Sequence, residues 1–257
     1  MPATQNFPIG SDENLLRYEE KDAYHLLMFT SPPDNRFSPE FAPAFIQAIT
    51  WIQTECEPKP LVTTSSTPKF YSNGLDFERA VATPGFFNDA YYPMMRVMLE
   101  FPWPTVAWVN GHAFAAGFMI SACHDYIVMN GEKGYLCMNE LEFGAPLLPP
   151  MMSIFRVRYG TQLAHKIALT AHRFTGKEAL SDGLITALGA LPEVEEIVNK
   201  VSKFAGKVSY GAIRKELFRE VLNDTLNYNE DTEKLSASTA REEEFYEKIV
   251  NEYRAKL

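Results

Sequence analysis

The chain has 257 residues, of which 46% are hydrophobic and 22% are charged, a balance that predicts a globular protein with a sizeable buried core. The formal net charge of −9 provides no broad basic field, which argues against nucleic acid as a general partner. The three cysteines show no CxxC spacing, which argues against a disulfide framework or a zinc site and is typical of a reducing compartment.

Neither a membrane segment nor a secretory signal is predicted. No segment reaches the roughly 18 consecutive apolar residues that a membrane helix needs. The N-terminal stretch lacks the basic-then-apolar layout of a secretory signal. We therefore expect a soluble protein.

Four short segments rich in β-branched and aromatic residues are predicted to be buried strands, namely 24–30, 60–66, 104–110 and 125–130. Between the first two, Ser38 and Pro39 predict the start of a helix whose apolar residues repeat at helical spacing. A second helix is predicted over 88–100, with Pro93 in its first turn or at a kink. This alternation predicts an α/β fold of ββα units, with sheets packed on helices.

After about residue 190 the pattern becomes helical. The segments 192–208, 209–226 and 238–256 have apolar residues at spacings of three and four, with charged faces between them. Three helices are predicted here. They either fold back on the core or pack on another subunit, and the sequence leaves both possibilities open.

Small residues follow the third predicted strand, at Ala113, Ala115, Ala116 and Gly117. A helix that starts near Ala116 leaves unpaired N–H groups in its first turn, and small side chains would let a ligand oxygen reach them. Tight packing of a helix on a sheet also selects alanine and glycine. The segment 69–78 contains a second turn, at Ser72, Asn73 and Gly74, which is suited to a positive φ and can also present N–H groups. Two such donors aimed at one carbonyl would form an oxyanion hole.

These segments resemble the crotonase family, also called the enoyl-CoA hydratase/isomerase superfamily. The resemblance rests on "SNGLDF", "NGHAFAAGF", "HDYIVMNGEKGYLCMNELEFG" and "RYGTQLAHKIALTAHRFTGKEALSDGLI", and it runs from about residue 24 to 190. It implies a crotonase ββα-spiral core for CoA-thioester binding and catalysis over 1–195. The region 196–257 would be helical, would serve oligomerisation and would end in a targeting tripeptide.

The resemblance also implies where a CoA thioester binds. Its carbonyl oxygen would be held by the backbone N–H groups of Leu75 and Ala116, and the small residues at 113–117 would allow that oxygen to touch the main chain. Glycine is usual in the family where this chain has Ala115 and Ala116, and a methyl group is expected to be tolerated there. The predicted substrate-binding set is Lys69, Arg36, Ser72, Asn73, Gly74, Gly117 and Met119, with the two basic residues directed at the CoA phosphates.

Family hydratases use two glutamates, whereas in this chain the first of those positions is occupied by Met119 and the second by Glu140. Methionine cannot orient or deprotonate water, so the two-carboxylate hydration mechanism is incomplete. The resemblance is therefore strongest to peroxisomal, plant-like Δ3-Δ2-enoyl-CoA isomerases. In these, Glu140 would carry a proton from C2 to C4 during the β-oxidation of unsaturated fatty acids.

The neighbours of Glu140 in the sequence are largely apolar, which predicts a raised pKa for its carboxyl group. The alternative is a structural glutamate bonded to a backbone amide. Glu142 either shares the pocket or is solvated. The segment 86–101, with three methionines, would line an acyl tunnel or simply pack in the core.

No metal and no cofactor beyond the CoA of the substrate is expected, because no histidine or cysteine spacing suggests a metal site. The resemblance implies a homotrimer or a hexamer. The final residues Ala255, Lys256 and Leu257 resemble a tripeptide that a peroxisomal import receptor reads, which predicts the peroxisomal matrix, although a helix could end this way by chance. Rival functions are 2-enoyl-CoA hydration, another crotonase-type reaction, and an inactive CoA-binding scaffold.

Overall fold

The computed structural model describes residues 3–255, so Lys256 and Leu257 of the predicted targeting tripeptide lie outside the described residues. A seven-stranded sheet has the order β1-β2-β3-β4-β6-β8-β10. Its strands are β1 (Thr4–Phe7), β2 (Leu16–Glu20), β3 (His25–Phe29), β4 (Leu61–Ser65), β6 (Thr105–Val109), β8 (Tyr126–Met129) and β10 (Ala187–Leu188). The pairs β1-β2 and β2-β3 are antiparallel, and the rest are parallel.

A second, parallel sheet has the order β5-β7-β9, with β5 (Phe70–Ser72), β7 (His112–Phe114) and β9 (Leu136–Cys137). The helices are α1 (Phe41–Glu55), α2 (Phe77–Ala82), α3 (Tyr92–Glu100), α4 (Ala116–Ala122), α5 (Glu140–Phe143), α6 (Pro149–Leu169), α7 (Gly176–Ser181), α8 (Leu191–Val201), α9 (Val208–Leu217), α10 (Arg219–Asp224) and α11 (Tyr228–Arg254). A π-helical turn (Phe87–Tyr91) precedes α3, and a 3₁₀ turn (Ser202–Phe204) follows α8.

Three successive ββα units form a spiral, and each contributes one strand to each sheet. The units are β4-β5-α2, β6-β7-α4 and β8-β9-α5. The large-sheet strands of these units carry apolar residues on both faces, as expected for parallel strands covered on both sides. The predicted α/β fold of ββα units with a helical C-terminal region is confirmed.

The four predicted strands are confirmed to within a residue or two, as β3, β4, β6 and β8. Helix α1 begins at Phe41, and the Ser38 hydroxyl accepts hydrogen bonds from the Glu40 and Phe41 amides at 3.3 and 3.2 Å. The helix predicted over 209–226 is interrupted at Phe218, whose φ of −101° and ψ of 17° are not helical, and it forms α9 and α10 instead.

Helix α8 covers one face of the large sheet, so the predicted boundary between residues 195 and 196 must move. Its buried residues form an apolar cluster with strands β3, β4, β6 and β8, and they are Val194, Ile197, Val198 and Val201. Because that burial continues across residue 195, the whole helix belongs to the core.

Helix α9 is fixed to the spiral by Arg214, whose residue is only 3% exposed. Its guanidinium donates to the Asp125 carboxylate, with Nε 2.7 Å from Oδ1, and to the carbonyl oxygens of Leu99, Phe101 and Cys123.

Helix α11 differs, because none of its described residues is buried and its first residue, Tyr228, packs on the π-helical turn. Within residues 3–255 no helix is both long enough and apolar enough to cross a membrane.

Candidate active site

The carboxyl ends of the three small-sheet strands lie at one edge of that sheet, because the strands are parallel. The segments that follow them border a cavity of about 860 Å³. Strand β5 leads to Asn73 and Leu75, β7 leads to Ala115 and Ala116, and β9 leads to Asn139 and Glu140. The wall also includes Arg36, Asp76, Phe77, Glu78, Val81, Phe87, Tyr91, Met119, Phe143, Ala145, Pro146, Leu148 and Met151. The structure therefore brings together the three positions that carry the predicted chemistry, 75, 116 and 140.

In the first turn, the Leu75 N–H points away from the neighbouring backbone at Phe37. Phe37 donates its N–H to the Gly74 carbonyl at 2.8 Å, and Asp76 donates to the Phe37 carbonyl at 3.2 Å. In a trans peptide the C=O and the N–H point in opposite directions, so the Leu75 N–H points away from Phe37. Within residues 3–255 this N–H has no hydrogen-bond acceptor. Gly74 has the φ of 84° that the sequence predicted for this turn.

The second turn is built on an unusual backbone conformation at Ala115, with φ 50° and ψ −123°. Its N–H donates to the Cys137 carbonyl at 2.9 Å, and its own carbonyl accepts the Phe118 and Met119 amides of α4 at 3.0 and 3.1 Å. The Ala116 N–H therefore points the other way, and it finds no acceptor in the described part of the chain. A side chain at this φ typically costs about 1 to 3 kcal/mol, so the methyl group of Ala115, which was expected to be tolerated, is accommodated with backbone strain.

The two turns touch each other, which changes the explanation for their small residues. A Cβ atom added to Gly117 would lie 2.5 Å from the Ser72 carbonyl oxygen. One added to Gly74 would lie 2.9 Å from the Ala115 Cβ and 3.2 Å from the Ala116 nitrogen. Gly117 and Gly74 are therefore needed for the turns to pack together, which agrees with the packing explanation that the sequence left open beside the approach of a substrate oxygen.

Glu140 is the first residue of α5 and is 8% exposed. Burial raises the pKa of its carboxyl group to about 7. Its Oε2 atom is buried and has no hydrogen-bond partner in the described residues, and the hydrogen bond that the carboxyl group accepts from its own backbone amide only partly offsets the raised pKa. A buried carboxyl with a free oxygen at a cavity wall is suited to proton transfer.

Glu142 is solvated, which resolves the alternative that the sequence left open. The chain turns into helix α5 at Glu140, so two residues later the side chain points to another side of the helix. Its carboxylate lies in the exposed region, 3.4 Å from the Arg173 guanidinium. It therefore neither lines the cavity nor shares a site with Glu140.

Met119 lies in the cavity wall and is 2% exposed. The fully buried Tyr91 hydroxyl donates to its sulfur at 3.0 Å. Tyr91 ends the π-helical turn, which brings both Phe87 and Tyr91 to the wall. From the sequence this segment would line an acyl tunnel or pack in the core, and these two residues were not singled out. A π-helical turn, which often marks a functional site, is not visible in sequence periodicity.

The remaining predicted binding residues divide into two groups. Arg36 and Asn73 line the cavity, and both contact the Asp34 carboxylate, at 3.0 and 2.8 Å. Lys69, Ser72, Gly74 and Gly117 lie outside its wall. The Lys69 ammonium lies 5.3 Å from the centre of the Phe70 ring, and Ser72 is fully buried between the two turns. These four residues adjoin the site without lining the cavity, and their contact with substrate stays a prediction.

Two further features concern the walls. The methionines of α3, Met94, Met95 and Met98, are fully buried and lie outside the cavity wall, so they pack in the core. Phe77 and Phe143 are 40% and 48% exposed and make an edge-to-face pair with ring centres 5.5 Å apart. Both line the cavity, and sequence reasoning did not identify the pair because they are far apart in the chain.

Within residues 3–255 no group of three histidine, cysteine or acidic residues is arranged to hold a metal ion.

Comparison with known proteins gives one consistent result. A family model described as enoyl-CoA hydratase/isomerase matches residues 19–255. Two Arabidopsis thaliana proteins, peroxisomal enoyl-CoA delta isomerases 2 and 1, are 27% identical over 221 residues and 28% identical over 232 residues. The matches cover 79% and 86% of this chain, and 92% and 97% of the relatives.

Solved structures show the same fold. An enoyl-CoA isomerase from Mycobacterium tuberculosis has a TM-score of 0.72 at 21% identity, with coverage of 82% of this chain and 94% of that protein. An enoyl-CoA hydratase from Mycobacterium marinum has a TM-score of 0.73 at 19% identity, with coverage of 87% and 98%. Similarity at this level supports the fold and not a particular reaction.

The raised pKa of Glu140 predicts a pH-dependent cost in stability. The folded protein binds this proton more tightly than the unfolded chain, whose carboxyl has the ordinary value of 4.5. Stability is therefore lost as pH rises from 4.5 through about 7, by up to about 3 kcal/mol. Glu140→Gln, which cannot ionise, should be more stable than the wild type at pH 8 by up to that amount, and the advantage should shrink by pH 5.

Urea unfolding at the two pH values measures this difference. Glu142→Gln is the matched control, since it makes the same substitution at an exposed side chain two residues away. If the advantage of Glu140→Gln were the same at pH 5 and pH 8, Glu140 would not have a raised pKa.

Proposed function

Because the chain belongs to the enoyl-CoA hydratase/isomerase family, we propose that it shifts the 3-double bond of a fatty enoyl-CoA to the trans-2 position. The family membership supports a crotonase-type enzyme acting on a CoA thioester. The observation that carries the finer proposal is the cavity itself. One buried carboxyl group shares it with two unpaired backbone N–H groups, and the Met119 thioether occupies the position that matches the first of the two glutamates of family hydratases.

In this proposal the thioester oxygen accepts hydrogen bonds from the Leu75 and Ala116 amides. The Glu140 carboxylate removes a proton from C2, and the electrons of that C–H bond form a C1–C2 double bond as the carbonyl becomes an enolate oxygen. The enolate then collapses back to the carbonyl. The C1–C2 electrons move to C2–C3, the π electrons of the original C3–C4 double bond form the new C4–H bond with the proton held by Glu140, and the Glu140 carboxylate is regenerated. Atoms and electrons balance without water or a redox partner.

The electrostatics of the site support this mechanism. A carboxyl group with a pKa near 7 is a stronger base than an ordinary glutamate, and it is still largely ionised slightly above neutral pH. Two backbone donors stabilise the negative charge that develops on oxygen, and losing one such donor typically costs about 3 kcal/mol. The apolar wall around Glu140, including Leu148 and Met151, limits access of water to the enolate.

Removal of the base is the direct test. Glu140→Gln should reduce turnover of 3-enoyl-CoA by at least about 10³-fold while binding of a saturated acyl-CoA is retained, since only proton transfer is lost. In the wild type, kcat/KM should rise with pH through about 7 and level off above it, because the ionised carboxylate is the active form. Absorbance of the conjugated 2-enoyl product measures both.

Glu142→Gln controls for charge and position, because it lies two residues away and is exposed to solvent. It should keep nearly full turnover and the same pH midpoint. Near-normal turnover in Glu140→Gln would remove Glu140 from the mechanism. A wild-type protein that binds acyl-CoA but converts no enoyl isomer would instead favour the inactive scaffold.

Met119 separates isomerisation from hydration. A carboxylate at this position could orient and deprotonate water, with the Tyr91 hydroxyl as a nearby donor. Met119→Glu should therefore raise the hydration of 2-enoyl-CoA at least about 10-fold over the wild type. Met119→Gln, which has a similar shape without a base, should show no gain. If the wild type hydrated 2-enoyl-CoA faster than it isomerised 3-enoyl-CoA, the isomerase proposal would fail.

We also propose that the chain forms a homotrimer or a dimer of trimers through its C-terminal helices. Helix α9 exposes apolar side chains that no described part of this chain covers, with Val208 90%, Ile213 68% and Leu217 64% exposed. Sedimentation should give three or six times the 29.1 kDa chain mass. Ile213→Glu should lower the mass to that of a single chain, whereas Ser209→Glu on the same exposed helix should not. A monomeric wild type would refute the proposal.

A peroxisomal location is proposed from the Ala255-Lys256-Leu257 end and from the two Arabidopsis relatives that are named as peroxisomal. The import receptor would be the partner, and the tail would be its ligand. A fluorescent protein that carries the last ten residues should colocalise with a peroxisomal marker. A fusion lacking Leu257 should remain diffuse, and diffuse fluorescence of both fusions would contradict the proposal.

A further inference from the structure

We propose that Asn35 is a positioning residue for the Leu75 amide, which it orients through the segment that precedes helix α1. The inference rests on the proposed function in one respect, namely that this amide holds the thioester oxygen. Asn35 does not line the cavity, and it is fully buried. Its effect must therefore be transmitted through the backbone that it fixes.

Both the nitrogen and the oxygen of the Asn35 side-chain amide form hydrogen bonds. Its side-chain nitrogen is within hydrogen-bond distance of the Ser65 hydroxyl at the end of β4 and of the Phe70 and Tyr71 carbonyls in β5, the last two at 3.2 and 3.3 Å. Its side-chain oxygen accepts the Ser31 N–H at 3.0 Å. Its φ of 51° lies in the left-handed region, which asparagine tolerates better than most residues. A buried amide with these contacts fixes its own backbone in one conformation.

That backbone in turn holds the first turn. The Asn35 carbonyl accepts the Ser72 hydroxyl at 2.8 Å, and the same hydroxyl oxygen accepts the Gly74 N–H at 3.1 Å. On either side of Asn35, the Asp34 carbonyl accepts the Asn73 N–H at 2.9 Å, and Phe37 donates to the Gly74 carbonyl at 2.8 Å. Residues 34–37 therefore run beside the turn and form hydrogen bonds with the residues that precede Leu75.

The Gly74–Leu75 peptide needs this support because its own residues provide none. Glycine rotates freely at positive φ, and leucine has no polar group that could lock the turn. In the described residues, the bond from Phe37 to the Gly74 carbonyl is what sets the direction of the Leu75 N–H on the opposite side. If residues 34–37 shifted, the peptide could rotate and the donor would miss the position of the developing oxyanion.

Loss of one oxyanion donor typically lowers kcat by 10²- to 10³-fold, so a misaligned donor should cost about 10- to 100-fold. A purely structural asparagine would instead lower stability and leave each folded molecule as active as before. The two roles differ in the polarisation of a bound thioester carbonyl. Its infrared stretching band moves to lower frequency in proportion to the hydrogen bonds that the oxygen accepts.

The experiment uses the full-length protein and a saturated acyl-CoA labelled with ¹³C at the thioester carbonyl, which binds but cannot be isomerised. The variants are Asn35→Gly, which keeps a residue suited to φ 51°, and Ser72→Ala, which removes only the link from Asn35 to Gly74. The matched control is Asn110→Ala. It deletes an amide that donates to the Ser65 carbonyl at 2.8 Å but makes no contact with the first turn.

We expect the band of the bound carbonyl to lie well below that of the free ligand in the wild type and in Asn110→Ala. In Asn35→Gly it should return part of the way, with kcat for 3-enoyl-CoA about 10- to 100-fold lower, KM changed less than about threefold, and the pH midpoint of Glu140 unchanged. Ser72→Ala should show the same changes to a smaller degree.

A folded Asn35→Gly with the wild-type band would overturn the inference. If Asn35→Gly does not fold, Ser72→Ala is the deciding variant. A Ser72→Ala protein with the carbonyl band at the wild-type frequency and normal kcat would also overturn the inference. A wild type without any band shift would overturn this inference together with the assignment of the oxyanion donors. A wild type with the band shift but no isomerase turnover would overturn only the proposed reaction.

Discussion

The planarity of two peptide bonds is the constraint on which this site depends. In each turn a carbonyl oxygen accepts hydrogen bonds on one side, from the Phe37 amide at Gly74 and from the Phe118 and Met119 amides at Ala115. Because the C=O and N–H of a trans peptide point in opposite directions, fixing the oxygen also sets the direction of the N–H of the next residue, which is Leu75 or Ala116. The two N–H groups are therefore oriented by the hydrogen bonds that the carbonyl groups of their own peptides accept on the opposite side.

The spiral explains how such turns come to face a carboxyl group. Each ββα unit adds one short parallel strand to the small sheet, so the chain leaves that sheet three times at the same edge. Residues 75, 116 and 140 lie far apart in sequence, yet each follows one of those exits. The first two turns pack directly against each other, with Gly117 against the Ser72 carbonyl, and this contact sets the distance between them.

Function and stability oppose each other at two positions of the site. Glu140 keeps an oxygen without a partner in a largely apolar wall, which raises its pKa and weakens the folded state above neutral pH. Ala115 holds a backbone conformation that a glycine would adopt with less strain. Elsewhere the buried charge is well compensated. Arg214, for example, is matched by Asp125 and several carbonyl oxygens, which suggests that the unmatched carboxyl is retained for its chemistry.

The sequence alone determined the main strands, the Ser72-Asn73-Gly74 turn with its positive φ, the start of α4, the family resemblance and the selection of Glu140. These depend on local periodicity, on turn chemistry and on motifs of consecutive residues. Only the tertiary structure decided that Glu142 is solvated, that the α3 methionines belong to the core, that Lys69 lies away from the cavity and that Asn35 supports the first turn. The direction and burial of a side chain depend on contacts between residues distant in the chain, and local sequence patterns do not encode those contacts.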